Sequence, residues 1–349
     1  MGRISICASG LVTSGGLNGR ASLAAIRAGI RSVKETNLWD PESGTYLAAG
    51  KVPLPQWWVG LGKLADLAAP AIFECLKAAE PEPPERIPIF LGIAPPDRPF
   101  RLPGLDDQLL EEIQDRLEFR FHPASGTIAQ DRVSVASALA AAEELILTGR
   151  ARQVIVAAVD SLLKHDLKNY YLERRRLLTP GHSNGFSLGE AGSALLVRAA
   201  GNCLEGELQL EGIAAGCENA TIESEEPLRG DGLTQVIRQT LLQAACRMQD
   251  VSYRLADLNG EHYRFKEFIL AMGRFPRQAA AEKFDVWHPI EYVGDVGAAI
   301  GPLLLAVALD AGRKRYAPGR NVLCTLGNDG GERAALLLSY RKGGENAYE

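Results

Sequence analysis

The stretch that decides the fold is residues 134–161, which reads SVASALAAAEELIL, then TGRAR, then QVIVAAVDS. The first segment predicts a helix over residues 134–147 that consists mostly of small and aliphatic residues. A helix with so few charges must be buried on most sides. The apolar run that follows predicts a strand in a sheet that is covered on both faces.

The same pattern occurs again toward the C-terminus. VGAAIGPLLLAVAL, residues 296–309, also predicts a small-residue helix, and a turn with glycine, arginine and lysine follows it. Two strands come next, NVLCTLGND from Asn321 and RAALLLSY from Arg333, with a glycine pair between them. In the first copy the matching second strand is AGSALLVRA, from Ala191. The repetition predicts an α/β fold of two pseudo-symmetric halves whose sheets sandwich the buried helices.

Shorter segments complete the predicted organisation. They are a strand at 3–9, a helix at 21–30, a strand at 89–93 and an amphipathic helix from about Leu105. The 89–93 strand lies inside a proline-rich stretch, 81–103, which is too irregular for a helix and reads as connections around a core strand. We expect an N-terminal half at 1–203 and a C-terminal half at 204–349, packed as one compact unit.

Composition limits the classes of function. The chain has 349 residues, of which 46% are hydrophobic and 23% charged, as in a folded protein. Its net charge is −5 and it lacks a stripe of clustered lysine and arginine, which argues against nucleic acid as a partner. The longest apolar run, 296–309, is shorter than the roughly 20 residues that a membrane helix needs. We therefore expect a soluble, cytoplasmic protein with no membrane contact.

The six cysteines are far apart and form no CxxC pair. This spacing favours neither a zinc site nor a disulfide framework. We expect no metal and no cofactor.

Several motifs, in order along the chain, resemble those of β-ketoacyl synthases in the thiolase superfamily. ARQVIVAAVDSLL (151–163) resembles the strand after the nucleophile helix. LADLNGEH (255–262) resembles the strand that carries the first catalytic histidine, and VGDVGAAIGPLLLAVAL (293–309) the helix that carries the second. LCTLGNDGGERAALLLS (323–339) resembles the final glycine-rich turn and strand.

A fifth segment, residues 174–197, matches a further ketosynthase segment. The matching residues are Asn184, Gly185, Phe186, Gly189, Glu190 and Ala191. The resemblance implies a thiolase-like fold with layered αβαβα architecture, within an acyltransferase superfamily. Relatives with similar motifs are often encoded near type VI secretion genes.

The departures from the family pattern concern the catalytic residues. Ketosynthases attack an acyl thioester with a cysteine at the N-terminus of the small-residue helix, where helix amides lower the thiol pKa. That position falls at residues 132–134, and the nearest cysteines in the sequence are Cys75 and Cys203. Ser134 is the nearest candidate nucleophile. The condensation machinery of the family is therefore expected to be absent.

The two histidine positions also differ. The first matches Glu261 or, one residue later, His262, and the second holds Asp295. Two imidazoles normally donate hydrogen bonds to the enolate oxygen of the condensation, and a carboxylate there would repel that anion unless it stayed protonated.

Each candidate has a structural interpretation beside the functional one. Ser134 and Asp295 suit helix N-termini, and the N-cap hypothesis predicts that asparagine in place of Asp295 costs little stability. Together, Glu261, His262 and Asp295 could instead form an acid/base or metal cluster. Asn328, where ketosynthases carry an aromatic gate, suits a left-handed turn. The run 173–176, ERRR, is interpreted as a solvated face, with an acidic partner or phosphate as the alternative.

Two functions follow from these residues. The leading hypothesis is a ketosynthase-like pseudoenzyme that acts as a binding scaffold, adaptor or chaperone, in one version for a secreted effector. The alternative is an acyltransferase or thioester hydrolase that acts on acyl-CoA or acyl-carrier-protein substrates through Ser134, with His262 and a carboxylate. A condensing enzyme would require a nucleophile that the sequence lacks.

The resemblance also implies a homodimer. Segment 119–129 would pair across a two-fold axis, and the following helix presents Ala136, Ser137 and Ala140 for close approach. Acyl carrier protein or a secreted effector is the further partner that the resemblance implies.

Overall fold

The computed structural model describes residues 4–201, 205–276 and 286–342. The strands are β1 (Ile4–Val12), β2 (Lys34–Asp40), β3 (Thr45–Ala49), β4 (Ile89–Gly92), β5 (Gly126–Ile128), β6 (Gln153–Ser161), β7 (Glu190–Ala199), β8 (Glu207–Cys217), β9 (Tyr253–Ala256), β10 (Val286–Trp287), β11 (Asn321–Gly327) and β12 (Glu332–Arg341). The helices are α1 (Gly19–Arg27), α2 (Leu61–Ala79), α3 (Gln108–Leu117), α4 (Ser134–Leu147), α5 (His165–Glu173), α6 (Asp231–Gln243), α7 (His262–Met272), α8 (Ile290–Val293) and α9 (Ile300–Arg313).

The main sheet shows the predicted duplication. Its order is β10-β9-β11-β12-β8-β1-β7-β6-β4-β5, so five strands from each half meet at β8 and β1. In the first half β4 is parallel to β5 and β6, whereas β7 is antiparallel to β6 and β1. The second half repeats this arrangement: β9 is parallel to β10 and β11, whereas β12 is antiparallel to β11 and β8. The predicted α/β fold with pseudo-symmetric halves is confirmed. The boundary at 203/204 involves residues 202–204, which lie outside the described residues.

The helices form layers around the two halves of the sheet. Helices α4 and α9 share the largest hydrophobic core with strands of both halves. Helices α2 and α3 cover the outer face of the first half. Helices α6 and α7 cover the outer face of the second. A helix with little charge, such as α4 or α9, is stable here because apolar strands surround it.

Both central helices begin with the same kind of turn. A short 3-10 helix, Asp131–Val133, precedes α4, and another, Gly297–Ala299, precedes α9. The first residue of each has left-handed backbone, with φ of 51° at Asp131 and 53° at Gly297. This turn explains why α9 begins at Ile300 and not at residue 296 as predicted.

The remaining sequence predictions agree with the described elements within a few residues. Helix α4 and strand β6 have the predicted bounds, and α3 begins at Gln108, after a turn, rather than at Leu105. Cys7 is disulfide-bonded, which corrects the expectation that no cysteine is paired. In the described part of the chain, no helix is long and apolar enough to cross a membrane.

Candidate functional site

The turn before α4 places a buried aspartate next to the window in which the family resemblance puts a nucleophile. The left-handed residue is Asp131, one position before the predicted window of 132–134. Its carboxylate lies 2.7 Å from the Arg98 guanidinium, which also contacts Asp160 at 2.5 Å. Asp160 in turn accepts a hydrogen bond from the backbone N–H of Ala298 at 3.0 Å. Arg98 thus connects the turn before α4 to the turn before α9.

Burial dominates the acidity of Asp131. Loss of solvation raises its pKa, and Arg98 and Arg132 only partly oppose this effect. A buried carboxyl group paired with Arg98 has a structural contact and no thiol-like nucleophilicity.

Asp295, at the second histidine position, pairs with the other half of the protein. Its carboxylate lies 2.5 Å from Arg132 Nη2 and accepts hydrogen bonds from Asn259 Nδ2 at 2.9 Å and Gly297 N–H at 3.1 Å. Arg132 also lies 3.5 Å from Asp257. Burial opposes ionisation of Asp295, but these partners outweigh it and hold its pKa below the usual value. The N-cap interpretation of Asp295 was therefore incomplete, because its closest contact is an ion pair.

Glu261, one of the two residues that the resemblance matches to the first histidine, forms a second set of ion pairs. Arg176 binds both of its carboxylate oxygens, at 2.7 and 2.9 Å, and Asn259 donates to it at 3.0 Å. The same arginine contacts Asp329 at 2.7 Å, and Arg264 contacts Asp329 at 2.7 Å. Although burial raises the pKa of Asp329, the two arginines lower it far more, so this carboxylate stays ionised.

Asn328 connects these pairs to the turn before α4. Its Nδ2 donates to the carbonyl of Gln130 at 2.8 Å, and its own carbonyl accepts from Arg333 at 2.8 Å. Arg333 is buried and pairs with Glu267 at 2.7 Å. Asn328 therefore has a structural contact at the position predicted for a gate.

Ser134 and His262 do not form a catalytic pair. The Ser134 hydroxyl is fully buried and has no hydrogen-bond partner among the described residues. It packs so closely on Gly92 that a Cβ added to that glycine would lie 2.2 Å from Oγ. His262 is exposed at the start of α7, where its backbone N–H donates to Asn184 at 2.7 Å. The serine thus lacks the base that activation requires.

The structure brings Glu261 and Asp295 together through their shared donor, Asn259, and leaves His262 outside the cluster. We call this buried ion-pair network the charged cluster; it comprises Arg98, Asp131, Arg132, Asp160, Arg176, Asp257, Asn259, Glu261, Arg264, Asp295 and Asp329. Among residues 4–201, 205–276 and 286–342, no three His, Cys, Asp or Glu side chains are placed to hold a metal ion.

A very small cavity adjoins one side of the charged cluster. The cavity beside Asp257 and Arg264 has a volume of about 10 Å³, roughly the space for a single water molecule. Each carboxylate faces an arginine, and every arginine faces at least one carboxylate. The Arg132–Asp295 and Arg176–Glu261 pairs connect the first half of the chain to the second.

Sequence reasoning missed the arginines of this cluster. Arg98 lies in the proline-rich stretch, and Arg176 was assigned to a solvated face although its side chain is only 9% exposed. The available signal was the position of Asp160 and Asp295 at the ends of apolar segments, since a charge there needs a partner.

Comparison with known proteins supports the fold. No family model matches the sequence, and no curated protein is similar to it. Among solved structures, the ishigamide ketosynthase/chain length factor is 19% identical, with a TM-score of 0.72, and the match covers 97% of this chain and 99% of that one. A type II PKS acyl-carrier protein in complex with its ketosynthase bound to the hexaketide is 15% identical, with a TM-score of 0.77, covering 97% and 99%.

A third similar structure is a ketosynthase in complex with its chain length factor from Xenorhabdus doucetiae. It is 16% identical, with a TM-score of 0.73, and the match covers 97% of this chain and 98% of that chain. Similarity at these identities concerns the fold alone. The chain has the thiolase-like fold of the ketosynthases.

Proposed function

We propose that this protein is a ketosynthase-like pseudoenzyme that has lost condensation and acts as a binding scaffold. The observation that carries the proposal is the turn before α4. There, the resemblance puts a reactive cysteine at residues 132–134, but these positions hold no cysteine, and the neighbouring Asp131 is buried and paired with Arg98. A thioester exchange needs a nucleophile that is both exposed to substrate and readily acylated, and a paired carboxylate is neither.

The electrostatics of the charged cluster support the same proposal. Decarboxylative condensation builds negative charge on an enolate oxygen, which hydrogen-bond donors must stabilise. Here the ionised Asp295 occupies one donor position, and Arg132 is already neutralised by it. An enolate at this place would meet a carboxylate and no available donor.

The alternative, acyl transfer through Ser134, has no support in the geometry. Its hydroxyl is buried against Gly92, and no base contacts it within the described chain.

A scaffold needs a partner, and the edge of the sheet offers a place for one. Strand β5 is the last strand on its side of the described sheet, and it bonds to β4 alone. On the adjacent α4, Ser137 and Ala140 are exposed whereas Ala136 is in the core. We propose that a second copy pairs here, as segment 119–129 predicts, and that the dimer binds an acyl carrier protein or a secreted effector. Two of the similar structures are complexes of a ketosynthase with a chain length factor.

Intact-mass analysis tests the loss of catalysis. The protein is incubated with acetyl-CoA and malonyl-CoA beside a working ketosynthase as the positive control. We expect unchanged mass and no release of carbon dioxide. An adduct that disappears in Ser134→Ala would support the acyltransferase instead, and release of carbon dioxide would contradict the proposal.

Light scattering coupled to gel filtration tests the partner surface. We expect the mass of two chains at micromolar concentration, and the mass of one chain for Ala140→Glu with an unchanged far-UV spectrum. Ala140→Ser is the matched control and should remain dimeric. A wild-type mass of one chain across concentrations would contradict the dimer.

A further inference from the structure

A cavity of about 570 Å³ lies over the charged cluster, between the end of α5 and the start of α7. Its lining includes three consecutive arginines, Arg174, Arg175 and Arg176, together with Asn184, Glu223 and Glu261. The lining itself holds three guanidinium groups and two carboxylates.

The three arginines differ in what holds them. Arg176 is saturated, because Glu261 and Asp329 together occupy its donors. The buried Arg176 side chain forms the floor of the cavity. Arg174 and Arg175 retain much of their solvent exposure, with side chains 44% and 74% exposed.

Arg174 is held by an aromatic ring and by one long ion pair. Its guanidinium stacks over the ring of Tyr170 at 3.7 Å. Its nearest carboxylate is Glu223, 3.5 Å from Nε, and that glutamate is 62% exposed on the cavity wall. Stacking leaves the donor edge of a guanidinium available to an oxyanion.

Arg175 occupies a backbone position that favours glycine. It lies two residues after the last residue of α5, with φ of 52°, and its N–H closes the helix on the carbonyl of Leu172. A left-handed arginine is a strained choice for such a helix end. Its ion-pair contact, to Glu42, is 3.9 Å long between two side chains that are both mostly exposed, so it contributes little.

We propose that this cavity binds a small polyanion through Arg174 and Arg175, with phosphate or carboxylate groups as the recognised chemistry. Guanidinium forks match both groups in bidentate geometry. The volume lies within the range of roughly 300–1,000 Å³ that is typical of small-molecule sites. Asn184 adds an amide beside the arginines.

Glu223 is the built-in competitor of this site. In the absence of ligand it faces Arg174 and accepts a hydrogen bond from the Tyr170 hydroxyl at 3.3 Å. An arriving oxyanion must displace or share this contact. Removal of the Glu223 charge should therefore strengthen binding, whereas removal of the arginine charges should weaken it.

Isothermal titration calorimetry with pyrophosphate and with citrate, against ionic-strength-matched chloride, tests the site. We expect saturable binding of at least one probe to the wild type, and the probe that binds identifies phosphate or carboxylate as the preferred group. Because the double variant loses the charged hydrogen bonds of both guanidinium groups, Arg174→Gln/Arg175→Gln should bind at least about tenfold more weakly. Glu223→Gln should bind more tightly.

Arg150→Gln is the matched control. Arg150 is an exposed arginine that follows the C-terminal end of α4 and pairs with Glu144. It should bind like the wild type. Equal binding by the double variant and the wild type would overturn the site, as would binding of neither probe beyond the chloride reference. Both altered arginines are exposed, so an unchanged melting temperature should accompany the weakened binding. The outcome is independent of the oligomeric state and of any acyl transfer.

Discussion

Asp295→Asn isolates the contribution of charge within the charged cluster. Asparagine keeps the size of the side chain and one acceptor oxygen for the Gly297 N–H. It removes the negative charge 2.5 Å from Arg132, in a position where the Asp295 side chain has no solvent exposure. Arg132 then retains only Asp257, at 3.5 Å.

The expected loss is large for a single isosteric change. At an effective dielectric constant of about 20, unit charges at 2.5 Å attract with roughly 7 kcal/mol before desolvation is counted. Removal of one partner from a buried pair typically costs about 3–5 kcal/mol. Because Asp257 remains near Arg132, we expect a value at the lower end, about 3 kcal/mol.

Urea unfolding followed by circular dichroism at neutral pH measures this difference. The m-value should stay constant, so that the midpoint shift reports stability alone. Asp166→Asn, at an exposed aspartate in the first turn of α5, is the control and should change stability by less than about 0.5 kcal/mol. A loss below about 1 kcal/mol for Asp295→Asn would refute the ion-pair account and restore the N-cap interpretation.

The stabilisation lost in Asp295→Asn should also depend on pH. The folded pKa of Asp295 is below its ordinary value of 3.8, so its ionisation stabilises the protein above that pH. This contribution is lost as the pH falls through the folded pKa. The stability difference between wild type and Asp295→Asn should therefore shrink when unfolding is measured below pH 3.8.

Two further predictions concern the turns before α4 and α9. Asp131→Asn should lose less stability than Asp295→Asn, because Arg98 keeps its contact with Asp160 at 2.5 Å. Burial raises the pKa of Asp131, so the stability of Asp131→Asn relative to wild type should improve as the pH rises above 3.8 in the same urea series. Gly297→Ala should lose several kcal/mol by thermal and urea unfolding, because φ is 53° and the new Cβ would lie 2.1 Å from Asp160 Oδ2. Gly181→Ala, whose Cβ meets nothing within 4 Å, is its control; equal losses would contradict the steric argument.

The sequence predicted the architecture because hydrophobic periodicity is a local signal. The bounds of α4 and β6 could be read from residue spacing alone, and the repeated helix–strand pattern predicted two halves. The left-handed turn at Gly297 was missed, since a glycine in an apolar run reads as a small helical residue.

The site was harder to predict because its contacts join distant residues. Arg132 pairs with Asp295, and Arg176 with Glu261, across the two halves of the chain. Spacing in the sequence carries no information about such pairs. The resemblance pointed to two members of the charged cluster, Glu261 and Asp295, but a charged residue alone does not reveal whether it faces solvent, substrate or an arginine.

Alkylation of Asp131→Cys tests most directly whether the charged cluster fills the family's catalytic place. The native protein is treated with iodoacetamide and mapped by peptide mass spectrometry, with the exposed Cys217 as the internal positive control. We predict that Cys217 is labelled while the thiol introduced at position 131 stays unmodified until urea unfolds the protein. Labelling of that thiol at a rate similar to Cys217 in the folded protein would show an open nucleophile site and contradict the account.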